Sequence, residues 1–405
     1  MTRRIASVGG ALAMVLTLVV PSGHALAADS GRAAGRHDTI TWGSSADRLG
    51  EGVAGRGYRL VVRTSVGGDH LRIRLSNAFG DRPVTFDSVY AGLGAELVRG
   101  SNRRLTFEGA RSVTVPAGQT VHSDPLPVRF APESDLVISV HSPNAAGPAT
   151  GHGMAMATSY VTQGDHTADE SAADWADDRT GSWYYLDAVT VRTTASIGAV
   201  ATLGDSITDG WQSSTDLNRR WPDYLARRLR GSTATTVEGV ANEGISGNKV
   251  LADGAGQSAL GRLERDVLSH SGVRTVFLFE GINDIKAHTG VTAEGVIAGY
   301  REIIERSRAA GLCVVGATVG PYKGWSEWDA AGEAVRQEVN AFVRDSGEFD
   351  GVADFDRALR SPYAPERLLP FLDNGDHLHP NDKGMLAMAD AVDLASLECA
   401  EPSSA

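Results

Sequence analysis

Only two cysteines occur in the chain, Cys313 and Cys399, too few to build a thiolate zinc site. Past the first twenty residues no apolar run is long enough to span a bilayer, so no membrane segment is expected there. A basic run is also missing. The formal net charge is −12, and an acidic surface repels nucleic acid and anionic lipid heads while suiting neutral or cationic substrates. No Gly-x-Ser-x-Gly elbow occurs, which argues against a standard α/β-hydrolase. Neither half of the chain shows an internal repeat.

What stands at the start is an address. Arg3 and Arg4 precede a mostly apolar run from Ile5 to Val20, then Pro21 and the small-residue pattern Ala25-Leu26-Ala27, the layout of a secretory signal peptide over residues 1–27. Losing it takes the charge from −12 to −14, because Arg3 and Arg4 leave and no acid does. The expected mature protein is secreted. In an oxidising compartment Cys313 and Cys399 can pair and tie the chain end to a strand; two unrelated buried thiols are the alternative.

Two styles of sequence follow. From about residue 39 to 194 short strand patterns succeed one another: Tyr58 to Val66, His70 to Leu75, Val84 to Leu93, Ser112 to Val115, Leu136 to His141 and Trp183 to Val191. Leu71, Ile73 and Leu75 alternate with His70, Arg72 and Arg74, and no run of helical length intervenes, so an antiparallel β-sandwich or jelly roll is expected. Pro143 to Gly153 and Gly164 to Gly181 carry no strand pattern and read as long loops, holding His152, His166 and Trp175, with Met154 directly after the first; no role is assigned to the two histidines.

From residue 197 to 400 strands and helices alternate instead. Strands are expected at Ile197 to Leu203, Thr235 to Val240, Val273 to Phe279, Leu312 to Thr318 and Gly351 to Phe355. Helices are expected at Trp221 to Leu229, Thr292 to Ala310, Asp329 to Arg344 and Asn381 to Leu394. That alternation predicts an α/β domain, a parallel sheet with helices on both faces.

Four polar stretches fall at the carboxyl ends of these strands or just before the last helix, where the loops of such a sheet converge. They are Gly204-Asp205-Ser206-Ile207-Thr208-Asp209-Gly210, Asn242-Glu243-Gly244-Ile245-Ser246-Gly247-Asn248, Gly281-Ile282-Asn283-Asp284 and Asp376-His377-Leu378-His379-Pro380. A serine hydroxyl is a poor nucleophile until an imidazole takes its proton, so Ser206 needs a histidine, for which His379 is the choice and His377 the rival. Asp376 can fold back to hold the other ring nitrogen. The backbone N–H groups of Ser206 and Gly247 and the side-chain amide of Asn283 are candidates for an oxyanion hole.

Together these stretches resemble the four sequence blocks of the SGNH, or GDSL-type, hydrolase superfamily: Gly204-Asp205-Ser206 the nucleophile block, Gly247 the glycine block, Gly281-x-Asn283-Asp284 the asparagine block and Asp376-x-x-His379 the base block. Ile207 stands where the family name has leucine. The resemblance covers about residues 197 to 395. It implies a flavodoxin-like α/β/α fold and hydrolysis of carboxylic esters with no metal and no cofactor. The expected partner is an ester substrate, an acylated polysaccharide or small ester ahead of a lipid, because no long apolar lid is visible. A lipase-type activity and an inert carbohydrate-binding surface protein are the competing readings, and oligomeric state is left open. His377 and His379 with Asp376 can also be read as metal ligands, but no second ligand cluster accompanies them. Tyr322, Trp325 and Trp328 follow the fourth strand, where they either contact substrate on the crevice rim or pack between loops.

Overall fold

The apolar run that opens the second half forms the strand Gly198–Gly204, all seven residues of which are buried. It lies inside a five-stranded parallel sheet in the order Val237–Gly244, Gly198–Gly204, Val273–Phe279, Cys313–Ala317, Gly351–Ala353. Burial on both faces explains why Gly198–Gly204 and Cys313–Ala317 read as nearly unbroken apolar runs. Ala199, Ala201 and Leu203 point into one core with Val296, Tyr300, Ile303 and Val339. Val200, on the other pleat, joins a second core with Trp221, Leu225, Phe355 and Met388. The result is an α/β/α arrangement. The first strand has the second on one side and the third on the other, so the chain reverses its direction of travel across the sheet at the carboxyl end of Gly198–Gly204.

The helices follow from periodicity and caps. Ala293–Ala309 begins where the Thr292 side chain accepts from the Gly295 N–H, and it buries Val296, Tyr300, Ile303, Ile304 and Ser307, the stripe its spacing predicts. Trp221–Leu229 and Ala330–Asp345 form as expected, whereas the last helix stops at Asp390 and gives way to a 3₁₀ turn over Leu394–Leu397. Beyond that turn Cys399 is joined to Cys313, with Cα atoms 5.3 Å apart.

The computed structural model describes residues 35–144, 147–175, 178–194 and 196–399, so the expected leader over 1–27 lies outside the described residues. Residues 35–194 are mostly antiparallel. One sheet runs Arg36–Gly43, Leu186–Thr194, Gly68–Ser76, Leu126–Phe130, with Thr120–His122 also on Gly68–Ser76. Another runs Arg179–Thr180, Ser159–Gln163, Arg56–Arg63, Asp135–Ser142, Ser88–Leu93, Arg103–Arg104. Side chains from both, among them Ile73, Val189, Leu60 and Ile138, share one core.

One expectation for this half fails for a physical reason. Pro148–His152, inside the stretch expected to be a loop, is a fully buried strand between Trp183–Tyr184 and Asp47–Glu51; its sequence, Pro-Ala-Thr-Gly-His, carries almost no strand signal. Arg74, on the pleat opposite Leu71, Ile73 and Leu75, is also buried, with Nε donating to Asp187 Oδ1 at 2.7 Å and Nη1 to Ser269 Oγ at 2.8 Å. The reason is that the parallel half covers this face. Ile40 N–H donates to the Ser271 carbonyl at 2.8 Å, Val240 N–H to Ser65 Oγ at 2.9 Å, and Ser45 Oγ to the buried Glu243 carboxylate at 2.9 Å. All the described residues fall in one compact unit, Ala34–Ala405. Among them no helix is long and apolar enough to cross a membrane.

Candidate active site

The strand Gly198–Gly204 delivers a one-turn helix, Ser206–Asp209. Asp205 caps it, accepting from the Ile207 N–H at 2.9 Å, and Gly210 ends it at φ 96°. The neighbouring strand must be glycine where it passes this turn, since a Cβ on Gly244 would lie 2.2 Å from the Asp209 nitrogen. Ser206 is thereby lifted to the sheet end, 7% exposed. Its Oγ lies 2.8 Å from His379 Nε2, and His379 Nδ1 lies 2.7 Å from Asp376 Oδ2.

The proton positions follow from the partners. An ionised carboxylate only accepts, so Nδ1 carries the proton and donates to Asp376, leaving Nε2 to accept from the Ser206 hydroxyl. The charges agree with this. Burial pushes the His379 pKa below its usual value, against the raising influence of Asp376. For Asp376 burial works toward a higher pKa, but N–H donation from His379 at 2.8 Å and Leu378 at 2.9 Å, with the imidazole itself, holds the carboxyl below the ordinary range. At neutral pH the pair is a neutral imidazole on a carboxylate, the state a general base requires.

The second and third loops meet beside the serine. Ile245 N–H donates to the Gly204 carbonyl at 3.0 Å, and Gly247 sits at φ 83°, a conformation open to glycine. Asn283 is in the first turn of Ile282–Lys286 and donates one Nδ2 proton to the Asn248 carbonyl at 2.8 Å, which leaves its second proton for another acceptor. Asp284, next to it, accepts from the Val250 and Leu251 N–H groups at 2.8 and 3.1 Å, so its work is to hold the loop that follows Gly247. Neither the Ser206 nor the Gly247 N–H has an acceptor among the described residues. Beneath the turn Asp205 and Glu280 are both buried. Burial, then the nearby Asp284 and Asp209 charges, pushes Asp205 up to about 7, and burial together with Asp205 drives Glu280 well above the usual carboxylate range.

Of the residues singled out from sequence, Ser206, His379 and Asp376 are brought into a hydrogen-bonded line, with Gly247 and Asn283 on adjoining loops. His377 is not in that line. Its side chain is 49% exposed and Nδ1 is 2.7 Å from Asp373 Oδ2. Tyr322 is corrected: it is 0% exposed and packs in the core, because the loop turns inward before its tryptophans. Trp325 does reach the site, its ring edge-on to His379 at 5.9 Å, its Nε1 donating to Glu327 at 3.0 Å. Trp328 is half-buried under Lys323. Trp175 is buried under Arg59, among residues of the antiparallel half, whereas Met154 Sδ is 3.4 Å from Ser246 Oγ, beside the glycine loop.

Two residues beside the site escaped the sequence reading. Trp211, 41% exposed, has its ring 6.3 Å from that of His379; its position directly after Gly210 was the available signal. His152 is buried against Asp209, and nothing in the sequence linked residues 57 positions apart. No group of three or more potential metal ligands occurs among the described residues.

Residues 202–387 match the GDSL-like lipase/acylhydrolase family. No curated protein matches the chain. Among solved structures, a carbohydrate acetylesterase family member from Sinorhizobium meliloti is 18% identical at a TM-score of 0.40, covering 48% of this chain and 95% of its own. The native M. smegmatis aryl esterase is 18% identical at 0.39, with coverage of 48% and 95%. Axe2, an acetylxylan esterase from Geobacillus stearothermophilus, is 21% identical at 0.37, with coverage of 48% and 94%.

Proposed function

We propose that the chain, whose residues 202–387 match the GDSL-like lipase/acylhydrolase family, is a carboxylic ester hydrolase that works through Ser206, His379 and Asp376. The observation that carries the reading is the unbroken line of 2.8 and 2.7 Å contacts from Ser206 Oγ through the imidazole to Asp376. Ser206 Oγ attacks the ester carbonyl carbon while its proton passes to His379 Nε2. The carbonyl oxygen becomes an oxyanion received by the N–H groups of Ser206 and Gly247 and the free proton of Asn283. Collapse expels the alcohol, protonated by His379, and leaves an acyl-serine. Water, deprotonated by the same nitrogen, attacks that ester and releases the acid. Asp376 stays ionised throughout and stabilises the imidazolium.

The substrate we propose is a short-acyl ester of a carbohydrate or a comparably polar alcohol. Support comes from the rim: Trp211 and Trp325 offer aromatic faces beside His379, and the Lys286–Glu327 pair at 2.7 Å stands next to Trp325. Aromatic faces among charged groups suit a sugar better than a long acyl chain. The antiparallel half is read as a sandwich of its two larger sheets that helps seat the substrate, and residues 1–27 as a leader removed on secretion. Rates on p-nitrophenyl esters of increasing chain length, beside acetylated xylan and phospholipid, test the substrate. Acetate and the acetylated polymer should be preferred; a rate that climbs to long chains makes the enzyme a lipid esterase. N-terminal sequencing of exported protein tests the leader, with a start near Ala28 expected.

A further inference from the structure

His152 comes from the antiparallel half, yet it meets the nucleophile turn. The ring is 6% exposed at the end of Pro148–His152. Its Nδ1 lies 3.0 Å from the Ser45 carbonyl, and Nε2 lies 2.9 Å from Asp209 Oδ1 and 3.0 Å from the Met154 carbonyl. All three partners only accept, so both ring nitrogens must carry protons and the ring is an imidazolium. A buried cation is stable only with its counter-charge, and Asp209, itself buried, supplies it. Burial alone would push the His152 pKa down, but the Asp209 charge and these hydrogen bonds raise it above the ordinary value.

The second oxygen of Asp209 faces the glycine loop. Oδ2 accepts from the Ser246 N–H at 2.9 Å and from Ser246 Oγ at 2.8 Å. Asp209 is thus clamped between a cation from the first half and the residue directly before Gly247. We propose that His152 is a positioning residue for the oxyanion hole, acting through Asp209 to hold the Ser246–Gly247 stretch, and with it the Gly247 N–H, in register with Ser206. The inference rests on Gly247 being an oxyanion donor in the mechanism above. It gives the antiparallel half a part in the chemical step that does not depend on substrate size. A merely structural ion pair would cost stability alone, whereas a positioning pair costs transition-state stabilisation while ground-state binding stays the same.

The test uses the full chain with p-nitrophenyl acetate as substrate and phenylboronic acid as the probe for the tetrahedral state. Outright removal of an oxyanion donor costs about 10²–10³ in kcat, so a misaligned one should cost about ten- to a hundredfold. For His152→Ala we expect kcat to fall by about that factor, KM to stay within about twofold, and phenylboronic acid affinity to fall along with kcat. His152→Gln, which keeps a donor for Asp209, should recover part of both. Wild-type kcat and boronate affinity in His152→Ala overturn the proposal, as does a change confined to KM. If His152→Ala does not fold, Ser246→Ala carries the test, since Ser246 is half-buried and loses only its Oγ contacts. It should show the same split at smaller size, and unchanged kcat and boronate affinity there overturn the proposal too. Ser206→Ala runs alongside: retained activity in that variant defeats the parent mechanism whatever His152 shows, and an inactive Ser206→Ala with a fully active His152→Ala defeats this inference alone.

Discussion

Two histidine–aspartate pairs flank the Ser206 turn, one at the mouth of the crevice and one at the seam between the antiparallel and parallel halves. At the mouth, His379 has a carboxylate on one side and a hydroxyl on the other; burial outweighs the carboxylate, and the ring is kept neutral. At the seam, His152 has a carboxylate and backbone carbonyls around both nitrogens; these outweigh burial, and the ring is kept charged. The same pair of residue types therefore does opposite work. The difference lies in the second partner: a hydroxyl can give a proton to the ring, and a carbonyl cannot.

The strongest way to break this comparison is to remove the crevice pair. Ser206→Ala and His379→Ala should each lower kcat by about four to six orders of magnitude, with the far-UV spectrum and Tm near wild type, because a turn hydroxyl at the sheet end and a crevice imidazole contribute little to packing. A loss under tenfold in either would remove that residue from the chemistry. Asn283→Ala comes next. It should cost about two to three orders of magnitude in kcat with a smaller change in KM, since an oxyanion donor acts on charge that appears in the transition state. A change confined to KM would make Asn283 a substrate-binding residue.

Smaller effects sharpen the contrast between the two rings. A folded-state pKa held below the ordinary imidazole value means His379 stays neutral, and active, at pH values where a free imidazole is already charged; activity is lost as pH falls through that lowered pKa. The acid limb of kcat/KM should therefore have its midpoint below about 6.5. Asp376→Asn removes a group that raises the His379 pKa, so the remaining activity should show the limb at still lower pH. A limb above 6.5 in the wild type would contradict the neutral-base assignment. His377→Ala should change kcat by less than about twofold, because its ring is turned to Asp373 and solvent. Reducing the Cys313–Cys399 link should leave kcat unchanged while lowering stability by about 2–4 kcal/mol, read as a fall in Tm.

The parallel half was legible because its signals are local. Gly198–Gly204 is buried on both faces and so is apolar throughout, and Thr292 marks a helix start through a hydrogen bond to a residue three positions on. Ser206, Asn283 and His379 each stand in a short polar motif at the end of such an element. The antiparallel half hid more. Arg74 stands on the polar side of an alternating strand, and that face is covered by residues near Ser269, far along the chain. Pro148–His152 is a strand through its neighbours and not through its own composition. His152 and Asp209 show no pattern in sequence because their contact is made only when the two halves close on each other. Tyr322 erred the other way: an aromatic in a loop after a strand suggested a rim, and packing took it into the core.

The account stands on Ser206 being made nucleophilic by His379. Reaction of the full chain with a fluorophosphonate, followed by peptide mapping and measurement of the labelling rate against pH, addresses that directly. The account predicts a single label, on Ser206, forming at a rate that rises with pH through a limb below about 6.5 and collapses in His379→Ala. A label on another serine, or labelling of Ser206 at an undiminished rate in His379→Ala, would contradict it.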